Sequence, residues 1–299
     1  MTDAPPTLDP VALDRWHRHA PDAAPWLHEE VARRMLERLQ WFRQTPRRWT
    51  HWEPVRGGQQ AQAALVQTCG KDCHLVERQP QRQALARRLW QPAWWQPRRW
   101  QGKGPRVGEP TPGTQDMVWA NMGLHLEVQP QALLSHWHDL LCTHGFLMFS
   151  CLGPDSLREL RGLYQALGWP PAGPDFTDMH DWGDMLVGVG FAEPVMDMER
   201  LTLTFATPER LLQELAGLGR NVHPGRFAGL RGRHWREHLL AAIDAHLPRD
   251  AQGRLCLSFE LIYGHALKPP PRIKAAAVSS VSLSDMRGML QGGTPRRAA

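Results

Sequence analysis

Apolar residues recur at helical spacing between positions 14 and 42. Trp26, Leu27, Val31, Met35, Leu36 and Leu39 form one stripe, with Glu29, Arg33, Arg34 and Arg38 on the opposite side. The pattern predicts an amphipathic helix over this stretch, ended by Pro46, whose ring cannot continue a helix. Residues 49–55 then predict a first strand, followed by Gly57-Gly58 and a helix over 60–67. Positions 73–77 read as a short buried strand that ends on the acid Glu77, and 81–89 as a helix. Residues 90–115 hold Trp90, Trp94, Trp95 and Trp100 among prolines, glycines and arginines. They read as a long loop with one edge strand, of the kind that is either functional or poorly ordered.

The second half repeats the alternation. A strand is predicted at 116–120, a helix at 131–141 with Gly145 at its C-cap, and an apolar strand at 146–151. Helices follow at 154–167 and 180–190. Met196, Met198, Leu201 and Leu203 alternate through a strand at 195–204. Thr207 is set to cap a helix at 208–218, with Glu209 in its first turn. A helix at 234–246 and a strand at 255–266 close the pattern. Strand and helix in alternation predict an α/β fold with a doubly wound, mostly parallel sheet, an N-terminal helix and C-terminal antiparallel strands. The expected organisation is a loose Pro-rich N-terminus at 1–13, one domain at 14–268, and a flexible Pro/Ala/Arg-rich tail at 269–299.

Composition narrows the function classes. With 299 residues and 42% hydrophobic content there is material for a large core. No run of 18 apolar residues occurs, so no membrane span is expected, and MTDAPPTLDP lacks the basic and apolar regions of a signal peptide. Five scattered cysteines suit reduced thiols, hence a cytoplasmic setting. The formal charge of +5 comes almost wholly from arginine, because Lys71, Lys103, Lys268 and Lys274 are the only lysines. No nucleic-acid motif accompanies it, so nucleic acid is not expected as a partner; the positive field favours an acidic protein instead. His136-Trp137-His138 and the pair Cys69 and Cys73 each lack the second ligand pair that structural zinc needs, so no metal is expected.

Four stretches carry the most specific signal: Gly153-Pro154-Asp155-Ser156-Leu157-Arg158-Glu159-Leu160-Arg161, then 178–186 (DMHDWGDML), then 190–197 (GFAEPVMD), then Tyr263-Gly264-His265-Ala266. In this order they resemble the malonyl-[acyl-carrier protein] O-methyltransferases of biotin synthesis, strongly over 116–268 and loosely over 14–40. A sister family of mitochondrial assembly factors that act on an arginine shares part of the pattern. The resemblance implies a Rossmann-like class I methyltransferase fold, S-adenosyl-L-methionine as cofactor, and an acidic helical partner, the acyl carrier protein bearing malonyl. It places Asp116 at the start of the fourth strand and Asn121 just past its end, where the methyl-transfer cleft opens. His125 and Leu126 stand where the family usually has Gln-Trp. Arg158 or Arg161 is the candidate fork for the malonyl carboxylate, the alternative being an ordinary solvated helix face. Asn121, His125, Arg158 and Arg161 are thus the candidate catalytic set. His180 beside Asp181 resembles an acid–base pair, yet a carboxylate with an ordinary pKa of about 4 is already ionised and needs positioning rather than a base.

The cofactor loop of the family reads acid-x-Gly-x-Gly-x-Gly. Here Glu53 matches the acid and Gly57 the middle glycine, with Gly58 beside it, while Val55 and Gln59 replace the outer glycines. A β-branched Val55 resists φ > 0, so the loop must take another shape, and Arg56 would bring a cation toward the sulfonium. Glu77 matches the acid that holds the ribose hydroxyls, its alternative being a solvated strand-end glutamate. Glu53, Gly57, Gly58, Glu77 and Asp116 form the expected cofactor set. The family's N-terminal tyrosine falls near Pro21, with Trp16 and His19 the nearest substitutes; the tyrosines present are Tyr164 and Tyr263. Two functions follow: the methyltransferase, or a degenerate homologue retained as a binding or regulatory subunit.

Overall fold

Side chains alternate strictly across the central strands, and this period of two builds both layers of the core. In the computed structural model, which describes residues 8–91 and 104–271, Met117 and Trp119 pack into one core layer, whereas Val118 and Ala120 pack into the other. Phe146 and Met148 likewise part from Leu147, Phe149 and Cys151. Such strands must be covered on both faces, and helices cover both.

The strands are β1 (Trp49–Trp52), β2 (Cys73–Val76), β3 (Arg106–Val107), β4 (Gln115–Ala120), β5 (Leu141–Leu152), β6 (Ala192–Phe205) and β7 (Leu255–Leu267). They form one sheet in the order β3-β2-β1-β4-β5-β7-β6. β1 pairs in parallel with both β2 and β4, and β4 in parallel with β5; β7 runs antiparallel between β5 and β6. The helices are α1 (Pro10–His19), α2 (Trp26–Leu39), α3 (Pro54–Gly57), α4 (Gln59–Cys69), α5 (Pro80–Trp90), α6 (Pro130–Leu140), α7 (Arg158–Ala166), α8 (Met179–Gly188), α9 (Pro208–Leu218) and α10 (Arg233–His246). α2, α4, α7 and α10 bury their stripes in one layer, α6 and α8 in the other. The compact unit ends at Pro269; most of the tail, Trp94, Trp95 and Trp100 lie outside the described residues.

The expected long N-terminal helix is two helices, because Pro21 and Pro25 interrupt it and α2 starts only at Trp26. β1 stops at Trp52 instead of running to Val55, since Glu53 turns into the left-handed region at φ 52°. Gly145 is no helix cap: α6 ends against Leu141, and Gly145 lies inside β5, where an added Cβ would meet the Gln115 carbonyl at 2.8 Å. α7 begins four residues later than expected, after a turn that docks on β7. Thr207 does cap α9, accepting from the Arg210 N–H at 3.3 Å.

The most specific sequence motifs prove to be docking devices. Ser156 Oγ accepts from the Glu260 N–H at 3.0 Å and donates to its carbonyl at 3.1 Å, while the Asp155 N–H donates to the Glu260 carboxylate at 2.6 Å. Glu159 accepts from both N–H and Oγ of Ser258, at 3.0 and 2.6 Å. These bonds fix the start of α7 to β7. Tyr263 lies under the guanidinium of Arg38, 3.8 Å from its ring centre, which ties α2 to the sheet. Gly264 leaves room for the ring of Phe149, which a Cβ would meet at 2.4 Å. Gly264→Ala is therefore expected to destabilise the fold by about 1–3 kcal/mol through overpacking, read as a lower urea midpoint; an unchanged midpoint would show that the ring moves freely.

Candidate active site

The chain leaves β1 toward β2 on one side of the sheet and leaves β4 toward β5 on the other. Strand order reverses between β1 and β4, and the crevice at their carboxyl ends is where ligands of such sheets sit. Glu53, Glu77 and Asn121 each follow the last residue of one of these strands: β1, β2 and β4.

The loop after β1 is a tight turn. Glu53 holds its left-handed φ with its N–H on the Val76 carbonyl at 2.7 Å and its carboxylate on Arg78 at 2.8 Å. Burial alone would raise the Glu53 carboxyl, but the charge and hydrogen bond of Arg78 win and hold it low. Val55 escapes the left-handed region because the next four residues form the single turn α3, with Val55 fully buried. Gly57 packs close to the end of strand β4, where an added Cβ would meet the Asn121 carbonyl at 3.4 Å, in van der Waals contact. Gly58 takes φ +145° and opens α4. The amino end of α4 is capped by Glu29, which accepts from the Gln59 and Gln60 N–H groups at 2.7 and 3.1 Å.

Glu77 is buried just past the end of β2. One oxygen accepts the Val55 N–H at 2.7 Å, and the other has no partner among the described residues. Burial, reinforced by the negative charge of Glu53, pushes its carboxyl up to about 8. A buried, unpartnered carboxyl oxygen at this point suits the hydroxyl pair of an adenosine ribose, so the donor set fits the cofactor that the resemblance implies. The space is another matter. About 30 Å³ remains among Trp16, His17, Arg56, Arg82, Asn121 and Leu126, roughly one water's share, against the several hundred cubic ångströms of a ligand pocket. Arg56 and Arg82 fill the rest. Arg56 donates to the carbonyls of Pro21 at 3.0 Å and Gly217 at 2.8 Å, and Arg82 to those of His17 at 2.9 Å and Ala20 at 3.3 Å. Arg82 sits on the carbonyl end of α1 and Arg56 on that of α9, where a cation complements the helix dipole.

A second cavity of about 320 Å³ adjoins this cleft. His28, Met122, Leu126 and Leu218 line both. Leu157, Leu160 and Tyr164 of the α7 region, Phe176, and Leu212 and Leu215 of α9 make its walls apolar, and Arg220 and Asn221 stand among its lining. Burial, then the charge of Arg56, lowers His28 to about 3; burial, then His28, lowers His125 to about 3. Both rings are neutral at physiological pH.

The expected site residues divide. Asn121 lines the narrow cleft as a clamp: its Nδ2 donates to the carbonyls of His28, at 2.8 Å, and Gly57, and its Oδ1 accepts from Ser150 Oγ at 2.6 Å. His125 lines the second cavity, edge-on to Phe176. Arg158 and Arg161 do not join them. Neither is among the residues lining the two cavities: Arg158 lies beside Glu159, and Arg161 holds the Pro154 carbonyl and Asp175. Asp116 sits near the opposite, amino end of β4, accepting from the Arg47 and Arg48 N–H groups and pairing with the Arg48 guanidinium; it belongs with Glu53, Gly57, Gly58 and Glu77 in sequence only. His180 is exposed near the start of α8, held by Asp178. Trp16 comes to the cleft from α1, whereas His19 points to solvent. Arg220, Tyr164 and Phe176 were missed because nothing local marks them; the folded α7–α9 face assembles them.

No protein-family model matches the chain. The malonyl-[acyl-carrier protein] O-methyltransferase of Gallionella capsiferriformans is 35% identical over 271 residues, 88% of this chain and 91% of that protein. The enzyme of the same name from Legionella pneumophila is 31% identical, over 82% of this chain and 85% of its own. That of Laribacter hongkongensis is 42% identical over about half of each. Among solved structures, a Bacillus halodurans protein described as a methyltransferase aligns with a TM-score of 0.54 at 12% identity, covering 81% of this chain and all of its own. The YcgJ protein of Bacillus subtilis aligns at 0.53 and 8%, over 81% and 99%. These two share the fold.

The raised Glu77 carboxyl has a consequence for stability. Between about pH 4.5 and 8 the unfolded chain has lost this proton and the folded chain keeps it, so stability falls as pH rises through that window. Glu77→Gln removes the titration. The variant is expected to exceed the parent in stability at pH 8 by on the order of a few kcal/mol and to lose that advantage at pH 4.5. Urea unfolding at both values checks this, and a difference independent of pH would refute it.

Proposed function

The chain belongs to the malonyl-[acyl-carrier protein] O-methyltransferases, and from that membership we propose that it methylates the free carboxylate of malonyl carried on an acyl carrier protein, a step of biotin synthesis. The observation that supports this reading most is the pair of adjoining cavities at the switch point of the sheet, one polar and lined by Glu53, Arg56 and Arg82, the other apolar with an arginine in its lining. S-adenosyl-L-methionine supplies the methyl group as an electrophilic sulfonium. Glu77 would hold its ribose, and the turn 53–58 would border its methionine part.

The chain's own residues then have three tasks. Arg220, which pairs with no acid among the described residues, gives the malonyl carboxylate a counter-charge, a role first expected of Arg158 or Arg161. Leu157, Leu160, Phe176 and Leu215 keep water off the reacting oxygen, which leaves the nucleophile less solvated. His28 and His125, neutral through burial, add no charge that would pin the carboxylate away from the junction. No base is required, since the nucleophile is an ionised carboxylate, and the rate comes from alignment. The partner is acidic and the site is cytoplasmic in this reading, consistent with five unpaired thiols. Among the described residues, no helix is long and apolar enough to cross a membrane.

The test is methyl-ester formation by the purified chain from S-adenosyl-L-methionine and malonyl-loaded carrier, followed by mass spectrometry. Product is expected from the parent; absence of product, with carrier and cofactor shown intact, would overturn the reading. Arg220→Ala is expected to lower kcat/KM about 10–100-fold, the loss of one charge-assisted hydrogen-bond partner of roughly 1.5–3 kcal/mol, while cofactor affinity stays at the parent value. A loss smaller than twofold would remove Arg220 from the carboxylate site.

A further inference from the structure

An acid-free basic segment borders the apolar cavity. Residues 219–236 contain Arg220, Arg226, Arg231, Arg233 and Arg236 and no acid. Apolar side chains stand out of the surface on the same segment: Leu230 is fully exposed and Phe227 is 49% exposed.

The segment is continuous with the apolar cavity. Gly219, Arg220 and Asn221 line the cavity directly, and Asn221 is anchored by its Nδ2 on the Pro171 carbonyl at 2.6 Å. Further along, Tyr164 of the cavity wall meets Trp235, whose ring lies 3.5 Å from the Arg231 guanidinium carbon; Arg231 also covers Phe227 at 4.7 Å. Arg226 is neutralised by Asp9, and Arg233 pairs with Glu237 one turn along an exposed helix face, an arrangement of small energy that a partner's carboxylate can displace. Arg236 is exposed on the first turn of α10.

We infer that residues 219–236 are the docking surface for the acidic carrier, with Arg233 and Arg236 facing its acidic helix, Leu230 and Phe227 meeting its apolar side chains, and the thioester arm entering the cavity past Arg220. This rests on the functional reading above for the identity of the partner. The complementarity is of charge and position together: the cationic surface borders the cavity that must receive the tethered malonyl group, and steering by such a field acts on the rate of encounter.

The test is titration of the full chain with unacylated acyl carrier protein at low salt, for the parent and for the double variant R233E/R236E. The variant is expected to bind on the order of tenfold more weakly, and parent affinity is expected to fall as salt rises. Methylation of malonyl-pantetheine, which carries neither the protein nor a phosphate, is expected to be the same in both. Equal carrier affinity in parent and variant overturns the docking surface, as does a parallel loss on malonyl-pantetheine. A parent that binds carrier in this charge-dependent way but methylates neither substrate overturns the functional reading and leaves the docking surface standing.

Discussion

A guanidinium removed from water must find its hydrogen-bond partners in the protein, and Arg56 finds them at the carbonyl ends of two helices. Its donors reach Pro21 behind α1 and Gly217 and Leu218 at the end of α9, and Trp16 covers it. Burial drags this arginine down to about 10, with the nearby charge of Arg82 adding to the effect. Much of the architecture around the cleft depends on this one solvated-by-carbonyl cation. It brings α1 and α9 together over the strand ends, fixes the loop after β1 as a helical turn, and through its backbone carbonyl engages His28 Nδ1 at 2.8 Å. The cofactor side is thereby narrow and polar, and the substrate side remains open and apolar.

The same burial sets the protonation states. His28, desolvated beside Arg56, and His125, desolvated against His28, stay neutral, whereas Glu77 is desolvated beside a carboxylate and keeps its proton toward pH 8. Glu53 experiences comparable burial but has Arg78, which links it to Glu127, and so remains ionised. Two carboxyls at neighbouring strand ends thus differ because Glu53 pairs directly with Arg78, whereas Glu77 feels only the weaker opposing charge of Arg82. A reaction that needs no general base is compatible with a site whose histidines have been silenced in this way.

The layered α/β fold was legible from periodicity because each central strand carries its own alternation and each helix its own stripe. The site was less so. The positions of Glu77 and Asn121 were legible, since each directly follows a strand and strand ends can be located from sequence. Arg158 and Arg161 were not: their motif reads as functional, yet Glu159, Ser156 and Asp155 spend it on docking α7 to Ser258 and Glu260. Asp116 misled for a related reason, as an acid at the start of β4 binds the chain entering β1, at the other end of the sheet from the crevice. Arg220 carries no motif. Its position depends on how α9 ends against α7, which is a tertiary fact.

The glycine-poor loop and the closed cleft are one phenomenon. A glycine loop leaves an open backbone cradle; Val55 and Arg56 replace it with a buried side chain and a cation that must be satisfied, and α1 supplies the satisfaction. Arg82 repeats the bond to α1 from the opposite side of the cleft, with Asp22 as a long ion pair at 3.4 Å. Arg56 and Arg82 hold the chain at the end of α1 through neighbouring carbonyls, Pro21 for one and His17 and Ala20 for the other. Substitution of residue 56 alone therefore leaves that end anchored by Arg82, and the narrowness of the cleft is a property of the pair.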